Sequence, residues 1–205
     1  SKYGGCVRIY RPGHFVLDGG TVSGGKLSHI SDGNGGAAFM VEGNASTASA
    51  GTKLGTLTIK SGIVTGNVDT KTVNDGAIMV GNNGVVNIEG GTINGGRGNN
   101  YQFSGKTYIG CGGTIYAYCT GSNKAEINIS GGTINGGLGE SFGGLLAVKP
   151  ASTGVVDINI TGGTFVGGKA PLGAMMYLDG SKVDMDITGG TFTGGEATTK
   201  GSLFW

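Results

Sequence analysis

Gly-Gly-Thr-Ile-Asn-Gly-Gly occupies residues 90–96 and recurs letter for letter at residues 131–137. Looser copies are GGTVSGG at 19–25, GGTFVGG at 162–168 and GGTFTGG at 189–195, and a degenerate copy, SGIVTG, runs from 61 to 66. An internal repeat of roughly 20–50 residues is typical of proteins built from stacked structural units. The heptapeptide therefore predicts a repeat architecture for the whole chain.

Two apolar motifs accompany each heptapeptide and complete a three-strand unit. Strand A is a Gly followed by an apolar run, strand B alternates apolar and polar residues before the Gly-Gly pair, and strand C is the Thr-x-x after that pair. Such β-branched, alternating runs favour strands over helices. Copies of strand A begin at Gly5, Gly36, Gly76, Gly113, Gly144, Gly173 and Gly201, and copies of strand B occupy 15–18, 57–60, 86–89, 127–130, 158–161 and 185–188.

The repeat length varies while the strands keep their length. Successive C strands lie between 27 residues (Thr164 to Thr191) and 42 residues (Thr21 to Ile63) apart. Insertions that collect in turns are typical of solenoids, and parallel crossovers are nearly always right-handed. We therefore expect an all-β, right-handed parallel β-helix (solenoid) of about six coils, forming one domain over residues 1–205. Because Ser1 is not an initiator Met, we expect the domain to be part of a longer protein.

The Gly-Gly pair is predicted to form a corner. Ile127 and Ile129 share one side of strand B, and the same alternation would place Thr133 inside, yet the apolar residue of strand C is Ile134. The alternation must slip once at Gly131-Gly132, where glycine can adopt dihedral angles that strain other residues. A phosphate-binding loop is disfavoured because no helix follows the glycines.

Composition excludes several classes of protein. Glycine accounts for 47 of 205 residues, but without a Gly-X-Y period and with only 3 Pro the chain is not collagen-like. The net charge of +1 without a basic run gives no nucleic-acid footprint, and no apolar run is long enough for a membrane span. Cys6, Cys111 and Cys119 match no zinc-binding spacing, and we expect free or buried thiols.

Strand C is expected to present regular columns of side chains. Its central residue faces the core, and the Thr on one side forms an outward column. This column resembles the Thr-x-Thr face of β-solenoid antifreeze proteins, which makes ice binding one possible function. The predicted core residues are Val22, Val64, Ile93, Ile134, Phe165 and Phe192, and the outward Thr residues are Thr21, Thr92, Thr133, Thr164 and Thr191.

Strand B is expected to present amides and carboxylates outward. Asn87, Asn128, Asn159 and Asp186 form one column, in which stacked amides would share hydrogen bonds in a structural role. Neighbouring carboxylates would repel one another unless they are solvated or bind a cation. A Ca²⁺ site, a catalytic acid pair and a solvated acidic face all remain open for the carboxylates, which are Glu126, Asp157, Asp184 and Asp186.

Strand A presents an unusually apolar outer face. Large apolar surfaces are seldom left exposed, so either a partner or second copy, an inserted loop, or a bound sugar should cover it. We expect a protein partner or self-association first, and covering by the insertion 97–112 next. The candidate interface residues are Arg8, Phe39, Met79, Tyr116, Tyr118, Met176 and Phe204.

The insertion 97–112 has the densest mixture of aromatic and basic residues in the chain. Arg97, Tyr101, Lys106 and Tyr108 suit contacts with carbohydrate, in which aromatic rings stack on sugars. They equally suit a loop that packs against the repeats, and this second interpretation is favoured.

The repeated GGTIxGG together with NGGAxxxV at 34–41 resembles the secreted pectate-lyase-like right-handed β-helices. It resembles more closely the Gly-rich repeats of bacterial surface adhesins and autotransporter passengers. The resemblance implies an extracellular or cell-surface stalk, adhesin or carbohydrate-binding module. The catalytic motifs of the enzymatic relatives, an Asn-Thr-Asp and a paired Asp-Asp, do not occur.

The sequence thus predicts a non-enzymatic, extracellular module for adhesion or scaffolding, which self-associates or binds polysaccharide. The alternatives are a polysaccharide lyase or hydrolase that uses the strand-B carboxylates, and an ice-binding protein. No cofactor is expected apart from a possible Ca²⁺, and neither nucleic acid nor a membrane span is expected.

Overall fold

The computed structural model describes residues 5–10, 12–25, 35–43, 54–68, 76–103, 106–180 and 182–205, with only the backbone for 101–103, 106–108 and 149–152. Within these ranges no residue lies in a helix, and the chain forms β-strands joined by turns. No described helix is therefore long and apolar enough to cross a membrane. The all-β prediction is confirmed.

The strands follow one another in a regular order along the described chain. They are β1 (Val7–Tyr10), β2 (His14–Ser23), β3 (Phe39–Glu42), β4 (Gly55–Thr65), β5 (Ile78–Val80), β6 (Gly84–Ile88), β7 (Thr92–Asn94), β8 (Arg97–Gly98), β9 (Tyr101–Phe103), β10 (Lys106–Tyr108), β11 (Ile115–Ala117), β12 (Lys124–Ile129), β13 (Thr133–Asn135), β14 (Leu138–Gly139), β15 (Leu146–Ser152), β16 (Val155–Ile160), β17 (Thr164–Val166), β18 (Lys169–Leu172), β19 (Met176–Gly180), β20 (Val183–Ile187), β21 (Thr191–Thr193) and β22 (Glu196–Lys200).

Three curled sheets contain almost all of these strands, and pairing within them is parallel. The A strands form a six-stranded sheet in the order β1-β3-β5-β11-β15-β19. The B and C strands share a ten-stranded sheet, β20-β16-β12-β6-β4-β7-β13-β17-β21, in which β2 pairs with β4. These two strands run through both the B and C segments, which is why the two columns are joined.

A four-stranded sheet, β22-β18-β14-β8, was not predicted. It follows strand C in each repeat and begins directly after the second Gly-Gly pair. Strands β9 and β10 form a separate antiparallel hairpin within the insertion 97–112.

Equivalent residues of successive repeats pair across the ten-stranded sheet. In strand C the central residues Ile93, Ile134 and Phe165 are in register and fully buried, as predicted. Burying an aliphatic or aromatic side chain of this size contributes roughly 1.5–3 kcal/mol. The outward Thr column is also in register, with Ile63 in the place of one Thr, and comprises Thr21, Thr92, Thr133, Thr164 and Thr191.

The predicted corner lies at the Gly-Gly pair between strands B and C. Gly132 has a φ of 85°, in the left-handed region that favours glycine. Gly131 is needed for a different reason, because a Cβ there would lie 2.4 Å from the carbonyl oxygen of Glu89 in the preceding repeat. One glycine thus provides the conformation of the corner and the other permits close stacking of successive backbones.

The predicted orientation of strand A is wrong for Phe39 and Met176. Phe39 pairs with Val7 and Ile78, and its side chain belongs to the main core instead of the outer face. Met176 pairs with Leu146 and is equally buried in the core. The Gly that begins the motif is not at an equivalent structural position in these two repeats and in the others.

An alanine replaces a glycine in the two misaligned repeats. The carbonyls of Gly113 and Gly144 accept hydrogen bonds from Gly96 and Gly137, and in the misaligned repeats Ala37 and Ala174 accept the equivalent bonds. In these two repeats, an alignment on the first Gly of the motif therefore assigns the inward position of strand A to a residue one position too early. The outward positions belong to the residues that follow, Met40 and Tyr177.

The outer face of the A sheet is covered by the chain itself. Met79 and Tyr116 are each only 1% exposed, and with Met40, Ala147 and Tyr177 they form a second apolar cluster. The cluster also includes Cys111, Phe142 and Leu172, which pair with one another just before the A strands of three successive repeats. Residues of the same chain therefore cover the outward side chains of Met79 and Tyr116. One of the covering residues, Cys111, belongs to the insertion 97–112.

Candidate functional site

A shallow polar groove of about 230 Å³ lies along the outward side of the B strands. Because side chains alternate along β6, β12 and β16, the isoleucines of these strands point into the core while the amides point out. Three successive repeats contribute equivalent residues to the groove. Its lining residues are Asn87, Glu89, Asn128, Ile129, Ser130, Asn159 and Thr161, and we call this site the polar groove.

Hydrogen-bonded amides form the floor of the polar groove. Asn159 Nδ2 donates to Asn128 Oδ1 at 3.0 Å, and Asn128 Nδ2 donates to Asn87 Oδ1 at 3.0 Å. Asn87 Nδ2 in turn donates to Thr58 Oγ1 at 3.4 Å. Each internal amide uses one donor and one acceptor in this ladder, so its second N–H and second lone pair remain for a ligand or water. The predicted sharing of amide hydrogen bonds is confirmed.

The amide ladder ends at two acceptors. Asp186 occupies the next position of the column, in register with Asn159. No described residue donates a hydrogen bond to Asn159 Oδ1 or to the Asp186 carboxylate. An ionised carboxylate cannot donate, so this end of the column offers only acceptors.

Lys124 lies between two of the candidate carboxylates. Glu126, Asp157 and Asp184 form a column in register, and Lys124 Nζ contacts Asp157 at 2.6 Å and Glu126 at 2.8 Å. The hydrogen bond to Asp157, followed by that to Glu126, raises the pKa of Lys124 above its usual range. Sequence reasoning missed this contact, although a lysine two positions before Glu126 on the same face was its signal.

The ion pairs change what the carboxylate column can do. A catalytic acid must reach the group to which it gives its proton, whereas Glu126 and Asp157 both contact the Lys124 ammonium. Among the described residues no three His, Cys, Asp or Glu side chains are grouped so as to hold a metal ion.

The remaining predicted interface residues lie in different surroundings. Arg8 forms an ion pair with Glu42 at 3.1 Å and lies 4.4 Å from the ring centroid of Tyr10. Tyr118 packs at the border of the second cluster, whereas Phe204 is 47% exposed beside Met176. The structure therefore does not gather these residues into one surface.

Arg97 is committed to contacts at the base of the hairpin. Its guanidinium pairs with Glu140 of the next repeat and donates to Asn99, and the second oxygen of Glu140 accepts from the backbone N–H of Asn100. Asn100 Oδ1 accepts from the backbone N–H of Gly110, where the insertion returns. Tyr101, Lys106 and Tyr108 lie in β9 and β10, and their side chains are outside the described residues.

Cys6, Cys111 and Cys119 form no disulfide, and the latter two are buried. Burial raises the pKa of the Cys119 thiol to about 11, although backbone hydrogen bonds act in the opposite direction. The prediction of free or buried thiols is confirmed in that no cysteine is cross-linked. Such a thiol is a poor nucleophile because little thiolate is present near neutral pH.

Comparison with known proteins adds no family. No protein-family model, no curated protein and no solved structure matches the chain.

Proposed function

We propose that the chain is a right-handed parallel β-helix of about six coils that serves as a non-enzymatic extracellular adhesion module and binds polysaccharide along the polar groove. The winding is supported by the order of the strands, since each repeat adds one strand to the A sheet and one to each half of the ten-stranded sheet. In-register pairing of identical residues, such as Thr92 with Thr133, fits the same winding.

The amide ladder is the observation that carries the binding proposal. Sugar hydroxyls both donate and accept hydrogen bonds, and an amide side chain matches both roles. Successive amides are spaced by the strand separation of about 4.8 Å, which is close to the length of one ring in an extended sugar chain. A polysaccharide lying across the strands would meet Asn87, Asn128 and Asn159 in turn.

The surroundings of the carboxylates support binding without catalysis. Lys124 Nζ lies between Glu126 and Asp157 and contacts both, so the carboxylate pair that glycoside hydrolysis needs is occupied by a cation. The two alternative functions, a polysaccharide lyase or hydrolase and an ice-binding protein, remain predictions from the sequence.

Substitution of Asn128 tests the groove. Asn128→Ala removes the central amide, and we expect binding to immobilised polysaccharide to weaken about tenfold. The matched control is Asn135→Ala, because Asn135 donates a similar hydrogen bond to Asn94 at 2.8 Å but lies on strand C outside the groove.

Retention on a panel of insoluble neutral, cationic and acidic polysaccharides is the measurement. The proposal is wrong if none of these polysaccharides retains the protein, or if Asn135→Ala weakens binding as much as Asn128→Ala does.

A further inference from the structure

The charges around the polar groove are unequal. From β6 to β20 the outward side of the B column carries five carboxylates, whereas only two lysines face the same way. These residues are Glu89, Glu126, Asp157, Asp184, Asp186, Lys124 and Lys182.

We propose that the polar groove selects saccharide chains that carry protonated amino groups and disfavours uronic-acid or sulfated chains. This inference rests on the proposed polysaccharide binding and names the chemical class of its ligand. Its two supports are the acceptors at the end of the ladder and a carboxylate in the groove wall, Glu89, that forms no ion pair with a described residue.

The end of the amide ladder suits an ammonium group. Asn159 Oδ1 and the Asp186 carboxylate are neighbours in register, separated by about the 4.8 Å between paired strands, and no described residue donates to either. Asp184 lies on the same strand, two residues before Asp186, and so faces the same side. An ammonium has three donors and no acceptor, so it can bridge these groups through charge-assisted hydrogen bonds.

Glu89 provides the negative charge at the other end of the groove. It lines the groove, is exposed, and forms no ion pair with a described residue. Lys60 occupies the equivalent position of the preceding repeat but lies outside the groove lining. Lys124 contacts Glu126 and Asp157, so its charge is already compensated.

A polyuronate, which carries carboxylates instead of ammonium groups, would be repelled by the charges of the groove. Its carboxylates would approach Glu89 and Asp186, no described lysine or arginine lines the groove, and like charges in such proximity repel. The acceptor-only end of the ladder could receive hydrogen bonds only from the uncharged hydroxyls of such a chain. The same groups therefore favour one class of chain and oppose the other.

Three oligosaccharides of equal length test this selectivity by calorimetric titration of the whole chain. They are a glucosamine oligomer with free amines, its fully N-acetylated form, and an oligogalacturonate, at about pH 5.5, where ordinary carboxyl groups are ionised. We expect the free-amine oligomer to bind about tenfold more tightly than the acetylated one at low salt. Added salt should reduce the difference because it screens exposed charges.

The double variant Glu89→Gln/Asp186→Asn should bring the two glucosamine oligomers to similar affinity, because it removes the charges that distinguish the free amine from the acetamide. Glu196→Gln is the control, since it removes one exposed carboxylate on the four-stranded sheet. Circular dichroism confirms that each variant is folded.

The outcomes separate the two proposals. If the acetylated oligomer binds as well as the free-amine oligomer and Asn128→Ala weakens both, the selectivity is wrong and the groove stands. Tighter binding of oligogalacturonate also overturns the selectivity. If no oligomer binds, the selectivity is wrong, and the polysaccharide function fails as well if none of the insoluble polysaccharides retains the protein.

Discussion

The second glycine of each Gly-Gly corner has a backbone conformation that costs other residues free energy. Gly132 has a φ of 85°, and an added Cβ would lie 2.9 Å from the carbonyl oxygens of both Gly90 and Gly91. A non-glycine residue in the left-handed region costs on the order of 1–3 kcal/mol. The corner therefore depends on glycine for its conformation and for the close approach of the neighbouring repeat.

Three substitutions separate these two effects. Gly121→Ala should lower the free energy of unfolding by roughly 1 kcal/mol, because Gly121 has a φ of 65° but a Cβ there has no neighbour closer than 4.0 Å. Gly132→Ala should lower it by more, because both the conformation and the close neighbours oppose a Cβ. Gly194→Ala should change it by less than about 0.5 kcal/mol, because the nearest atoms are 3.7 Å away and its φ is ordinary. Urea unfolding measures all three, and equal losses for Gly132→Ala and Gly194→Ala would contradict the corner.

Among the elements, the A strands differ most from their sequence prediction because both of their faces are buried. Ile115 and Leu146 pack into the main core, while Tyr116 on the opposite face is 1% exposed beneath the second cluster. Parallel strands buried on both faces read as continuous apolar runs, which matches these segments.

Tyr116→Ala should therefore destabilise the protein like a core substitution. We expect a loss of about 3–5 kcal/mol, as for a buried aromatic residue, in chemical unfolding. Val166→Ala serves as the control, because Val166 is 39% exposed on strand C and should cost well under 1 kcal/mol. A loss below about 1 kcal/mol for Tyr116→Ala would mean that the second cluster does not pack in solution.

The limits of prediction from sequence are visible in the same elements. Strands B and C were located correctly because apolar and polar residues alternate with period two, as Ile and Asn do in β12 and β16. The covering residues Cys111, Phe142 and Leu172 share no motif and come from segments of unequal length, so only their pairing in space reveals them. Two-residue strands such as β8 and β14 are too short to give a periodic signal.

The candidate site was predicted in part for comparable reasons. The amide column follows from the regular recurrence of Asn at one position of strand B. The contact of Lys124 with Asp157 joins residues 33 positions apart in sequence, and only the register of β12 with β16 brings them together.

At the scale of the whole molecule, stability should fall at alkaline pH. Burial raises the pKa of Cys119 from 9.0 to about 11, and burial followed by the hydrogen bond to Asp179 raises that of Tyr177 from 10.0 to about 12. The unfolded chain loses these protons first, so their contribution is complete below pH 9 and is lost between about pH 9 and 12.

Urea unfolding between pH 8 and 12 tests this dependence. Cys119→Ala should reduce the decline between pH 9 and 11, where the native thiol accounts for on the order of 2–3 kcal/mol. Cys6→Ala, at an exposed position, should keep the full decline. An unchanged profile for Cys119→Ala would show that the thiol is not buried in solution.

The amide ladder also gives the molecular surface a polarity. Asn159, Asn128 and Asn87 all donate toward the preceding repeat, so their dipoles align head to tail along the stack. Aligned amides polarise one another, and reversing a linear chain laid on them would exchange its donors and acceptors. The two orientations of such a chain on this face are consequently unequal in energy. A linear ligand bound along the amide ladder should therefore have one preferred direction.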